Sequence, residues 1–168
     1  MGSLFSRTAP SPWKDLLDRM GASQLEKLQQ LTKYGLTRLY LPRWVPERLD
    51  AIEVEVGEVK PHFPRVKIRF GKSEIPGFNF LAGDVSPLEH RYLRMHRTTR
   101  EIEGVALTAF EFEATNYPFQ FSLNSDLRHY RDTEQRNLFL ADLRADHGFP
   151  ADEFVRVIES LEPFSLES

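Results

Sequence analysis

The sequence predicts an α+β domain: a curved antiparallel sheet of about five to six strands with helices packed on one face, in the order αα-βββ(β)-α-ββ-αα. Three observations carry this expectation. Apolar and polar residues alternate with period two in "IEVEVGEV" (52–59), "RVKIRF" (65–70), "EGVALTAFEFEA" (103–114) and "YPFQFSLN" (117–124), the pattern of strands with one buried face. Helix-start signals cluster at the two ends and once in the middle. The alternating segments come in pairs across short polar links, which favours antiparallel hairpins.

Two short helices open the chain. In "SPWKD", Ser11 is placed as N-cap, Pro12 as the first helical residue and Asp15 in the first turn, with Gly21 ending the helix. "SQLE" (23–26) is a capping box for the second helix, Leu25, Leu28 and Leu31 form its buried stripe, and Gly35 stops it. "LTRLYL" (36–41) reads as a first strand. "PRWVPERLD" follows, held extended by Pro42 and Pro46 with Trp44 between them.

The first hairpin joins 52–59 to 65–70. A loop centred on His62 pairs Val54 with Phe70, Val56 with Ile68 and Glu55 with Arg69, and Gly57 marks a bulge. Glu53 and Glu55 then gain basic cross-strand neighbours, which makes them a solvated face rather than an acid/base pair. In the second hairpin, a tight turn at Thr115-Asn116 sets Phe112 opposite Phe119 and Phe110 opposite Phe121, so four phenylalanines share one face.

Between the hairpins, Ser86, Pro87 and Glu89 are read as N-cap, first helical residue and capping-box acid of a helix over 87–97. At 100° per residue, Leu88, Tyr92 and Met95 fall inward, while His90, Arg94 and Arg97 cluster on the outer side. Either this basic face is solvated, with Arg94 and Arg97 pairing with Glu101 or Glu103, or it receives a partner, an acidic protein surface ahead of an RNA phosphate. "DTEQ" (132–135) starts a helix through "NLFLADLRADH" that Gly148 caps. Pro150 starts the last helix, "ADEFVRVIESL", whose buried stripe is Phe154, Val155, Ile158 and Leu161.

With 168 residues the chain fits one domain, expected over 11–163 with an ordered tail at 1–10 and a second tail at 164–168. The formal net charge of −3 argues against nucleic acid as the main partner, since phosphate binding is driven by cationic surfaces. Cysteine is absent, which excludes disulfides and thiolate chemistry and suits a reducing, intracellular compartment such as cytoplasm or an organelle matrix. No apolar run approaches the roughly 18 residues of a spanning helix. "MGSLFS" matches the short pattern for myristoylation at Gly2, and residues 1–14 hold Arg7 and Lys14 but no acid.

Catalytic signatures are missing from the sequence. His62, His90, His96, His129 and His147 form no zinc-binding spacing, and Asp142 and Asp146, four apart on an expected helix, read as helix surface more readily than as a divalent-ion pair. No catalytic residue, metal ligand or cofactor is therefore assigned. The candidates for partner binding are His90, Arg94, Arg97 and Trp44, the last of which could equally anchor its loop against the core. The order α-βββ-α-ββ-α is similar in topology to that of the small acidic chaperones of type III secretion, none of whose motifs occurs here. The leading expectation is a non-catalytic protein-binding or structural subunit of a larger assembly. A dedicated chaperone, immunity or adaptor protein for one client comes second, ahead of an RNA-contacting component or an enzyme.

Overall fold

The computed structural model of the chain describes residues 13–60, 63–83, 93–102, 105–112, 119–126 and 138–167. Helix α1 (Lys14–Gln29) opens the described chain and runs into a 3-10 turn over Gln30–Tyr34. The helix begins at Lys14 with Trp13 at the N-cap position, later than the expected start, whose cap Ser11 and first helical residue Pro12 lie outside the described residues. Its break falls where the sequence places it: Gly21 has φ 80° and ψ 164°, a conformation open to glycine, and splits α1 into the two expected short helices. Gly35, left-handed at φ 81°, closes the 3-10 turn. Leu16, Met20, Leu28 and Leu31 are buried, and Leu25 packs partly against them. Lys14 pairs with Asp18 at 2.7 Å on the exposed side, and the largely buried Arg19 with Asp15 at 2.7 Å, both one helical turn apart.

Two antiparallel sheets follow. The small one pairs β1 (Arg38–Pro42) with β9 (Leu161–Ser165). The large one contains β2 (Ile52–Lys60), β3 (Phe63–Phe70), β4 (Phe78–Gly83), β5 (Leu93–Ile102), β6 (Val105–Phe112), β7 (Phe119–Asp126) and β8 (Leu138–Ala145). Their spatial order is β2-β3-β4-β8-β7-β6-β5. The sheet is thus two meanders, β2-β3-β4 and β5-β6-β7-β8, joined where β4 pairs with β8. The second helix, α2 (Ala151–Glu159), lies between β8 and β9.

One face of the large sheet supplies the core. Ile52 and Val54 of β2, Val66, Ile68 and Phe70 of β3, Phe78 and Phe80 of β4, and Leu143 and Ala145 of β8 are buried in one cluster with the apolar sides of α1 and α2. Phe70 and Phe78 stack at 4.5 Å, and Phe78, Phe149 and Phe154 continue as edge-to-face contacts into α2. Glu53, Glu55, Arg65 and Lys67 occupy the alternate positions and are exposed. An α+β fold with antiparallel pairing and helices on one sheet face is what the sequence predicts.

Several details differ. Residues 93–97, expected in a helix over 87–97, belong to strand β5; Ser86, Leu88, Glu89, His90 and Tyr92 lie outside the described residues. Residues 138–145, expected in a helix, form β8, which pairs on both sides. An apolar run such as "LFLADL" suits either period, and a central strand with two hydrogen-bonding neighbours prevails over local capping signals. Strand β4 has no counterpart in the sequence reading, although Phe78, Phe80 and Ala82 alternate inward. The large sheet therefore exceeds the expected five to six strands.

Registers shift as well. In the first hairpin Ile52 stands opposite Phe70, Val54 opposite Ile68 and Glu55 opposite Lys67, two residues from expectation, so the same faces are kept, and the irregularity lies between Glu58 and Lys60 rather than at Gly57. In the second, Ala109 stands opposite Phe121, Phe110 opposite Gln120 and Glu111 opposite Phe119. This one-residue offset divides Phe110 and Phe112 from Phe119 and Phe121, which take opposite faces of the sheet instead of one. Leu161 belongs to β9 rather than to the last helix, where Val157 joins Phe154 and Ile158 as buried. The expected tail at 164–168 begins inside β9, with Phe164 and Leu166 in the core. The N-terminal tail, including Gly2, lies outside the described residues.

Candidate functional site

Trp44 sits in the segment linking β1 to β2, and that segment is fastened along its length. The Trp44 amide donates to Ser160 Oγ at 3.0 Å, and Ser160 in turn donates to the Val157 carbonyl at 2.7 Å, so the end of α2 and the linker share one hydroxyl. The Arg156 guanidinium lies 3.9 Å from the centre of the Trp44 ring. Arg43 meets the Glu162 carboxylate at 3.1 and 3.2 Å, and Arg48 pairs with Glu153 while lying over the Phe149 ring. Arg19 of α1 donates to the carbonyls of Pro46 and Leu49. The half-buried indole packs against the core cluster, the geometry of a loop anchor.

An open pocket of about 480 Å³ is lined by Arg69, Ser73, Glu74, Pro76, Asp146 and His147, at the tip of the β3–β4 loop beside the end of β8. Arg69 forms a fork on Asp146, at 3.2 and 2.7 Å, and its Nε donates to the Gly71 carbonyl at 3.1 Å. The Gly77 amide donates to the same carboxylate at 3.0 Å, and the Asp146 amide returns a bond to the Gly77 carbonyl. Burial pushes the Asp146 carboxyl up, but the bonds from Arg69 and Gly77, with the charges of Arg69 and His147, outweigh it and hold the group below its ordinary value. A carboxylate held ionised by a guanidinium fork is a poor proton donor or acceptor near neutral pH. The pocket's charged wall closes a loop.

Asp142, 3% exposed, stands opposite Leu81 on the face of β8 away from Leu143 and Ala145 and accepts from Arg144 at 2.9 Å. Asp142 and Asp146 therefore each face an arginine, one within β8 and one from β3, and do not form the i,i+4 pair of a helix. Among the described residues no three His, Asp or Glu side chains converge as a metal site, and no helix is long and apolar enough to cross a membrane.

The remaining candidates lie on β5. Leu93 is paired with Phe112 and Arg97 with Phe110, so the three residues Arg94, Met95 and His96 face the single residue Glu111, and Arg94 falls inside a bulge. From Arg97 to Ile102 the pairing is regular: Arg97 opposite Phe110, Thr98 opposite Ala109, Thr99 opposite Thr108, Arg100 opposite Leu107. His90 is outside the described residues, so the expected cluster of His90, Arg94 and Arg97 on one helix face is replaced by a basic strand. Arg100 is the addition that strand geometry brings. The signal for it is the β-branched pair Thr98-Thr99 at the centre of "RTTREI", which favours a strand over a helix.

β5 is also the last strand of the large sheet, and the two edges differ. At the β2 edge the Val54 amide donates to Gln24 Oε1 at 2.7 Å, so α1 covers an outward backbone donor. At the β5 edge, among the described residues, no strand pairs on the outer side. Comparison with protein families, with curated proteins and with solved structures finds no match for this chain.

Proposed function

We propose that the chain is a non-catalytic, protein-binding or structural subunit of a larger protein assembly, and that the basic strand β5 is its contact. The observation that carries this reading is the asymmetry of the large sheet among the described residues, with an outward amide of one end strand bound by Gln24 and the other end formed by a ten-residue strand bearing Arg94, Arg97 and Arg100. Edge strands present rows of backbone donors and acceptors, and a sheet uses such an edge for recognition when it is left unblocked. Trp44, the other candidate, is engaged with Arg43 and Arg48 in fixing the linker to α2 and β9.

Reversing Arg94→Glu together with Arg97→Glu tests the reading. If both side chains face solvent, as this reading requires, the substitutions shift stability by about 0.5 kcal/mol or less, and the thermal midpoint should stay close to that of the parent. Capture of the partner that co-purifies from the native source should weaken, most at low salt, where exposed charges are least screened. Unchanged capture by a folded double variant would remove β5 from the contact.

A further inference from the structure

We propose that the outer edge of β5 over residues 97–102 takes up an extended acidic segment of another protein as an added strand, with carboxylates three residues apart. This rests on the protein-binding reading above and specifies its partner. The register gives the reason. Arg97 and Arg100 are three apart in a regular strand, so they stand on opposite faces of the sheet. The positions facing them on β6 are Phe110 and Leu107, and the flanking positions on the same faces are Thr108 and Phe112 for Arg97, Val105 and Ala109 for Arg100. None is acidic. Cross-strand charge complementarity on the inner side is therefore absent from β6, and a strand on the outer side supplies it if its acids also alternate faces, which a spacing of three achieves.

Two other occupants fit less well. A second copy of β5, paired antiparallel about Thr98-Thr99, sets Arg97 opposite Arg100 twice, like charge against like. Strand β2 carries Glu53, Glu55 and Glu58, but its outward Val54 amide is already bound to Gln24 and α1 packs beside it. The bulge at Arg94–His96 limits added pairing to the regular stretch that follows. Main-chain bonds along this edge would supply affinity, and the two arginines would select charge and register.

The test uses the full chain and a blocked octapeptide of the pattern Thr-Val-Glu-Thr-Thr-Glu-Val-Thr, its lysine counterpart, and two N-methylated forms of the acidic peptide, each methylated at alternate residues in opposite phase. An added strand bonds through alternate amides only, so one methylated form should lose binding by about tenfold or more and the other should bind like the parent peptide. The lysine peptide should bind far more weakly than the acidic one, and Arg97→Glu with Arg100→Glu should invert that preference. Equal binding of both methylated forms, equal binding of the lysine peptide, or tighter binding of single-stranded oligouridine at the same residues would overturn the proposal. Should the octapeptide fail to bind while Arg94→Glu with Arg97→Glu still abolishes capture of the native partner, strand addition falls and the protein-binding reading stands. If the charge-swapped variant does not fold, the methylated pair decides on the unaltered protein.

Discussion

Arg69 and Asp146 are 77 residues apart in sequence, and their bond holds the β3–β4 loop to the end of β8. The side chains are 22% and 32% exposed, so the ion pair is partly screened and its worth is modest, about 1 kcal/mol. Replacing Asp146→Asn should lower stability at neutral pH by about that amount. Because the folded carboxyl lies below its ordinary value, its contribution is fully present above that value and is lost as pH falls through the lower, folded one. The denaturant midpoints of parent and variant should therefore differ at pH 7 and draw together as pH falls below the ordinary carboxylate range; a gap that does not narrow with falling pH would contradict the charge-based account. At this scale the sequence shows the residues and hides their partners. Asp142 and Asp146 look like a pair in "DLRADH", whereas the structure gives one to Arg144 and the other to Arg69.

Elements that begin and end on backbone necessity are the legible ones. Gly21 and Gly35 delimit helix where expected because their positive φ suits glycine, and the alternation of β2 and β3 shows which face is buried even where the register is two residues off. Register is set by loop length rather than by the strands, and a one-residue error in the second hairpin is enough to separate Phe110 and Phe112 from Phe119 and Phe121. Strands β5 and β8 are misread for a related reason. "SPLE" and "DTEQ" are local helix-start signals, but pairing with β6, and with β4 and β7, decides the conformation of residues 93–102 and 138–145. Ala141 stands between Ala82 and Leu123 in a strand bonded on both sides. Ala141→Pro removes a ladder bond in a central strand and should cost about 3 kcal/mol or more, or prevent folding. The control Asp152→Pro, in the first turn of α2 where amides lack helical partners, should be far milder by thermal denaturation. Equal midpoints for the two variants would place 138–145 outside a central strand.

The whole molecule joins two meanders by a single pairing, β4 with β8, between segments about sixty residues apart. Such neighbourhood leaves no local trace, so the fold class is readable from alternation and capping while the strand order is not. The proposed contact follows the same division: the arginines of "LRMHRTTREI" are plain in the sequence, but the proposal depends on β5 being last among the described strands, which only their order reveals. With a net charge of −3 for the chain, a strand holding three arginines and one glutamate stands out as the basic element of an acidic protein. The measurement that bears most directly on this account is residue-resolved amide hydrogen exchange over 97–102, in the free protein and with the acidic octapeptide bound. Free, alternate amides should be protected by β6 while those between them exchange quickly; bound, both sets should be protected. Uniform protection of all these amides in the free protein, or no gain on binding, would contradict an open edge at β5.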